Sequence, residues 1–306
     1  MDPAERDLWL GRVASIKQWS RRGERAPHKP LLLLYALGEL RRGTTEIAWR
    51  AAAGKLGALL DDFGPPRTTQ PSHPFRRLAN DDGLWVVTTP SGEDPGDSAG
   101  RLAALDATGR LADDFTRALL DDPGLLVTVA RLLLEDNWPP SLHDDITAAV
   151  GLDLDHVEAE LVRGRVDDDD RRRRRDPNFR ERVLVAYEYR CAVCGFDGWM
   201  DRAAVGLEAA HIRWWSADGP DDVANGICAC SLHHVLLDSG VLGIDDEHRV
   251  LVSKRFVART TAGERQVLAL AGADLRLPQP GEPAPASEHI AWHADQVFRG
   301  PARLAG

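Results

Sequence analysis

Cysteine and histidine gather in one short stretch of this 306-residue chain. All four cysteines lie at 191, 194, 228 and 230, and His211, His233 and His234 stand among or just beyond them. A disulfide framework would spread cysteines along the chain, whereas a metal site clusters them. Cys191 and Cys194 form a Cys-x2-Cys pair. Zinc takes four nitrogen or sulfur ligands in a tetrahedron, and two close pairs far apart in sequence supply that set while closing a long loop. For the second pair the sequence offers Cys228 with Cys230, or Cys230 with His233. Cys-x-Cys is cramped for a chelating turn, and Cys-x2-His repeats the spacing of the first pair. Cys191, Cys194, Cys230 and His233 are therefore the expected zinc ligands, with Cys228 a small packed residue.

His211, Asn225, His234 and Asp238 suggest a different chemistry. Hydrolysing a phosphodiester needs an activated water, a cation on the scissile phosphate and stabilisation of the leaving 3′ oxygen. His211 closes a short apolar strand expected from Val205 to Ile212. A histidine there suits a general base, because the side chain titrates near neutral pH. Asn225 can fix that base or its loop. If Ser231 to Leu237 opens a helix, His234 and Asp238 face one side and can hold a divalent ion. A lone histidine is more often structural than catalytic; here several independent spacings agree.

The segments LEAAHI, NGICACSLHH and LLDSG resemble the HNH endonuclease family, over roughly residues 180 to 255. Specifically, they look like its zinc-stapled branch in modification-dependent restriction enzymes. The resemblance implies a ββα-metal fold with structural zinc. It implies His211 as general base, Asn225 as the orienting residue and His234 as a ligand of a catalytic Mg2+ or Mn2+. Asp238 then occupies a position where some members place another ligand. Many members carry an acid immediately before the base histidine, and here that residue is Ala210. The nearest acid is Glu208, which strand alternation turns to the opposite face from His211. The metal would then lean on His234 and Asp238.

These residues need elements to hold them and something to choose a target. Apolar spacing predicts a helix from Asp7 to Trp19 and another from Leu31 to Arg41, with Pro30 in its first turn. Residues 64–74 read as a proline-rich loop, and residues 84–87 as a strand after the Asp82-Gly83 turn. Ser141 or Asp144 is expected to cap a short helix to Val150. Residues 167–170 are four aspartates and 171–175 five arginines, opposite charge blocks that read as a solvated linker. A helix from Phe179 to Tyr189 leads into the first cysteine pair. Residues 250–252 read as a strand, and a last helix runs from His289 to Phe298, with Trp292 and Phe298 packing back.

The first segment carries Arg21 to Lys29, a basic loop, then HPFRRL from His73 and NWPPSLHDDITAAVGL from Asn137. Together these resemble the sulfur-binding domain of restriction enzymes that recognise phosphorothioate-modified DNA. That resemblance implies a shallow apolar pocket for the sulfur, with Pro74 beside His73 as its wall. Arg21, His28 and Lys29 would contact phosphates. Sulfur is larger and more weakly hydrated than oxygen, so an apolar wall favours it by about 1–3 kcal/mol per contact.

Net charge is −10, which looks wrong for a partner of nucleic acid, but its distribution matters more. Residues 1–90 hold 14 Lys and Arg against 10 Asp and Glu; residues 91–170 hold 6 against 20. From 171 onward the two are balanced at 18 each. No apolar run approaches the roughly 20 residues that span a bilayer, and the N-terminus lacks a signal peptide's pattern. The expected location is cytoplasmic, with no membrane partner.

The expected fold class is α+β: a mainly helical N-terminal DNA-binding domain over 1–165, a charged linker over 166–177, and an HNH nuclease domain over 178–306. The expected function is a type IV-like restriction endonuclease acting on double-stranded phosphorothioated DNA. A double-strand break would need a homodimer or sequential nicking. Two alternatives are an HNH enzyme directed to methylated or hydroxymethylated DNA and a zinc-stapled DNA-binding protein without catalysis.

Overall fold

The most apolar run of the chain, residues 31–37, becomes the centre of the N-terminal unit. A computed structural model describes residues 2–18, 26–67, 69–81, 83–154, 157, 176 and 178–304, which fall into an N-terminal and a C-terminal compact unit. The first unit begins with α1 (Pro3–Ala14), where the Asp2 side chain accepts from the Ala4 N–H and Pro3 takes the first position. This helix ends at Ala14, short of the expected Trp19; the Ser15 N–H closes on Gly11 O. Next come α2 (His28–Arg41), β1 (Ile47–Ala48), α3 (Trp49–Phe63), α4 (Ser72–Arg77), β2 (Trp85–Thr88), α5 (Ala99–Ala104) and β3 (Thr108–Leu111). The unit continues through α6 (Asp113–Asp121), α7 (Pro123–Asn137) and α8 (His143–Val150).

Residues 30–38 and Leu40 of α2 are all buried. A helix apolar on every side must be surrounded, and α3, α4, α7 and α8 pack around this one. At Gly38 a Cβ would stand 2.1 Å from Val150 O, so glycine lets α8 approach. The three strands form one antiparallel sheet in the order β1-β3-β2.

Two expectations fail here. Residues 72–74 are not loop: α4 starts at Ser72, and Pro74 fits its first turn because no intrahelical N–H is needed there. Neither Ser141 nor Asp144 caps α8; Leu142 holds the cap position without a side-chain bond, and Asp144 sits in the first turn.

The C-terminal unit opens with α9 (Phe179–Ala186) and the short hairpin of β4 (Trp199–Met200) and β5 (Ala203–Ala204). The hairpin of β6 (Leu207–His211) and β7 (Gly226–Cys230) follows, and α10 (Ser231–Asp238) leaves β7 directly. This is the ββα arrangement. The strand is shorter than the expected 205–212 because Gly206 takes φ +69, outside the extended region. A third hairpin pairs β8 (Leu242–Ile244) with β9 (Val250–Val252), and α11 (Thr261–Gln266) and α12 (Ser287–Gln296) complete the unit. Val183, Leu184, Tyr187, Leu207, Ala210, Ile227, Leu237 and Val252 share one core. Trp292 and Phe298 are buried, as their spacing suggests. The expected linker lies outside the described residues apart from Asp176. No described helix is long and apolar enough to cross a membrane.

Candidate functional site

The turn after α9 presents Cys191 and Cys194. The Gly195 N–H returns to Cys191 O at 2.8 Å with Gly195 at φ +76, which folds the chain into a tight knuckle. Cys230 ends β7 and His233 lies in the first turn of α10. The four candidate ligand atoms of Cys191, Cys194, Cys230 and His233 all lie within 4.8 Å of one another. His233 Nδ1 is 3.1 Å from Cys230 Sγ and 3.7 Å from Cys191 Sγ. Its Nε2 lies 2.9 Å from Gln266 O. A carbonyl can only accept, so Nε2 carries the hydrogen and Nδ1 turns its lone pair to the thiols. Three sulfurs and one imidazole nitrogen at such spacings fit a tetrahedral zinc ion with ~2.3 Å Zn–S bonds. The Cys191 thiol is held far below its ordinary range by the Cys230 hydrogen bond, against burial and with help from His233. Cys228 stays outside the cluster, and burial raises its thiol to about 12.

The β6–β7 hairpin and α10 carry the second set. His211 ends β6 opposite Gly226. A Cβ at Gly226 would stand 2.7 Å from Val183 and 3.0 Å from Phe179. Glycine therefore lets α9 close down, and the Phe179 ring stacks on His211 with centroids 4.2 Å apart. His211 Nε2 is 2.8 Å from Asp221 Oδ1, with both side chains largely covered. Asn225 is fully buried. Its Oδ1 accepts the Arg213 N–H, and its Nδ2 donates to Arg213 O and Pro220 O, each bond 2.8–2.9 Å. Asn225 thus ties both ends of the loop that leads into Asp221.

His234 is held on both ring nitrogens. Nδ1 is 2.6 Å from Glu208 Oε2, and Nε2 is 3.2 Å from Asp238 Oδ2. Ser231 Oγ donates to the other Glu208 oxygen. The hydrogen bond from His234 lowers the Glu208 carboxyl to about 2, against burial and with support from Ser231. Burial lowers the His234 basicity, but Asp238 and then Glu208 outweigh it and raise the ring to about 10. Strand alternation sets Glu208 aside from His211, yet the side chain meets His234. Beside His234 and Asp238, on which the metal is expected to lean, the fold therefore places a third group, Glu208. Asp238 is 2% exposed and Glu208 43%, so the solvent-facing carboxylate is Glu208. Glu208 and His211 stand three residues apart on one strand, ~10 Å along its axis.

In the N-terminal unit, His28, Lys29, His73 and Pro74 line one cavity of about 610 Å³, joined by Lys17, Arg67, Thr69, Gln70 and Arg77. Arg21 lies outside the described residues. Lys29 Nζ is 2.5 Å from Asp81 Oδ2, and Asp81 Oδ1 accepts the Lys17 N–H. Asp81 is buried, so Lys29 is fixed as its counter-ion at the cavity wall. Thr69 Oγ1 lies 3.4 Å from His28 Nε2. Sequence reasoning missed Lys17, Arg67 and Arg77. Only Arg77 carried a signal, because it belongs to the HPFRRL segment.

A β-hairpin and helix with a histidine on the first strand, a buried Asn at the hairpin and a histidine on the helix define the ββα-metal class, here beside a Cys3His cluster. Residues 191–245 match the HNH endonuclease family, and residues 6–155 match the ScoMcrA-like DNA sulfur-binding domain. The chain therefore joins a DNA sulfur-binding domain to an HNH endonuclease domain. Among solved structures, the sulfur-binding domain of SprMcrA complexed with phosphorothioated DNA is 28% identical, with a TM-score of 0.41. That match covers 48% of this chain and 94% of that one. The Type IV phosphorothioation-dependent restriction endonuclease ScoMcrA is 24% identical over 47% of this chain and 27% of its own, with a TM-score of 0.37. The modification-dependent restriction endonuclease TagI is 28% identical over 40% of this chain and 38% of its own, with a TM-score of 0.32. No curated protein matches the chain.

Proposed function

We propose that this protein is a modification-dependent restriction endonuclease that binds phosphorothioated double-stranded DNA and hydrolyses a phosphodiester bond nearby. The observation that carries the reading is the separation of two metal-binding chemistries on one ββα unit. Soft thiolates gather around His233, and hard carboxylates gather around His234. The first set suits structural zinc. The second suits Mg2+ or Mn2+, held by His234 with Glu208 and supported by Asp238 behind the ring. Such an ion supplies positive charge to the scissile phosphate and the leaving oxygen. His211 is the general base that takes a proton from the attacking water. Asn225 acts through the loop it braces.

Target choice belongs to the N-terminal cavity. Lys17, Arg67, Arg77 and His28 line that cavity together with His73 and Pro74, so it holds both cationic groups for phosphates and an apolar ring for sulfur. The sulfur-binding domain of SprMcrA has been captured on phosphorothioated DNA. The charged linker would allow cutting at a distance from the modified linkage, and a homodimer or two successive nicks would give a double-strand break. A competition assay tests the reading. The protein should bind a phosphorothioate duplex at least about tenfold more tightly than its unmodified or methylated counterpart, since one apolar contact contributes about 1–3 kcal/mol. Equal affinity for all three would remove the specificity. His211→Ala should bind the modified duplex normally and fail to cut it.

A further inference from the structure

Asp221 lies in a stretch that also holds Asp218 and Asp222, and the fold fixes it on several sides. Oδ1 meets His211 Nε2 at 2.8 Å. Oδ2 accepts the Asp176 N–H at 2.8 Å. The Asp221 carbonyl accepts from Arg182 Nη2, and Arg182 also pairs with the Asp176 carboxylate. On the preceding side, Asn225 Nδ2 holds Pro220 O. Both carboxylate oxygens and both flanks of the residue are therefore committed. Phe179 stacked on the imidazole holds the ring plane.

We propose that Asp221 is the positioning residue of the general base, fixing His211 in the Nε2–H tautomer. An ionised carboxylate only accepts hydrogen bonds, so the ring nitrogen facing it carries the hydrogen and the lone pair lies on Nδ1. The carboxylate also stabilises the imidazolium formed when Nδ1 takes a proton. In the step, a water O–H bond breaks and its proton goes to Nδ1 while the water oxygen bonds to phosphorus. The P–O3′ bond breaks with its electron pair on O3′, and that oxygen gains a proton from solvent. Asp221 touches neither water nor phosphate; it acts through His211. Asn225 then has a defined task, since its bond to Pro220 O sets where Asp221 stands.

The inference rests on the nuclease reading above, and two measurements on the full-length zinc-loaded protein separate them. The first is the nitrogen NMR signature of His211 in the wild-type protein, assigned by its loss in His211→Ala. A protonated Nε2 and an unprotonated Nδ1 near neutral pH are expected; the opposite tautomer would overturn the proposal without any variant having to fold. The second compares cleavage kinetics. In Asp221→Asn the amide can donate to Nε2 and favour the wrong tautomer. That variant should lose about 100-fold or more in kcat with KM within about threefold, and with zinc content and Mn2+ affinity unchanged. Cleavage at wild-type kcat by Asp221→Asn, with His211→Ala inactive, would overturn the inference alone. Undiminished cleavage by His211→Ala would overturn the nuclease reading itself.

Discussion

His233 and His234 are neighbours in sequence and serve two different clusters. His233 Nδ1 lies 3.1 Å from Cys230 Sγ, and His234 Nδ1 lies 2.6 Å from Glu208 Oε2. One residue of helix turns a side chain by ~100°, and the first turn of α10 uses that rotation to serve both. One peptide unit thus joins the cysteine cluster to the carboxylate cluster.

Removal of the zinc ligands should cost fold before it costs chemistry. Cys191 is fully buried beside the core of the C-terminal unit. Cys191→Ser, or exhaustive chelation, should lower the thermal midpoint of that unit by ~10 °C or more, since each kcal/mol lost shifts a domain of this size by a few degrees. Binding of the modified duplex should persist. Calorimetry with zinc analysis checks this, and an unchanged midpoint with the metal absent would count against a structural ion.

The affinity for Mn2+ should rise with pH. His234, held between Glu208 and Asp238, keeps its proton up to about 10 when no ion is bound. An ion must displace that proton, so below that value each added pH unit should tighten binding by up to about tenfold. Titration calorimetry in buffers of different ionisation enthalpy should show about one proton released. Glu208→Gln should abolish the binding, whereas Asp238→Asn should weaken it about 10–100-fold, as expected for a group that orients a ligand. Affinity independent of pH would show that His234 is not a ligand.

Lys29 and Arg67 should behave differently although they line the same cavity. Lys29→Met strips the counter-ion from buried Asp81 and should cost about 3–5 kcal/mol of stability. Arg67→Ala should weaken DNA binding and lower the salt dependence by about one unit of slope. Denaturant titration and binding at several salt concentrations distinguish the two. A stable Lys29→Met protein with weakened DNA binding would reverse the assignment.

Gly226→Ala should damage activity through packing. The added methyl meets Val183 and Phe179 inside contact distance, with a cost of about 1–3 kcal/mol. It should also shift Phe179 from His211 and lower kcat while zinc content stays normal. Unaltered kinetics would mean that the stacked ring does not position the base.

The Cys3His cluster was legible because its signal is local: two tight pairs of rare residues, far apart in the chain. His211, Asn225 and His234 stood out through their place in the LEAAHI and NGICACSLHH segments. Asp221 did not, because one aspartate among 48 acidic residues has no distinguishing spacing, and its importance arises only when a loop closes. The contact of Glu208 with His234 was not legible because alternation describes which face a side chain leaves, not which helix lies over that face. The Lys29–Asp81 pair joins residues 52 apart and no periodicity announces it. In the fold, α4 was hidden by prolines that suit a helix's first turn, while β1 and β3, of two and four residues, are too short to show alternation.

A reader of modified DNA and a cutter of DNA in one chain can be tried together in a single plasmid assay. Phosphorothioated and unmodified plasmid are incubated separately with the zinc-loaded protein and Mn2+, and the products are resolved on a gel. Nicked or linear product is expected from the modified plasmid only. Equal cutting of both plasmids would contradict the recognition half, and intact plasmid in every lane would contradict the nuclease half.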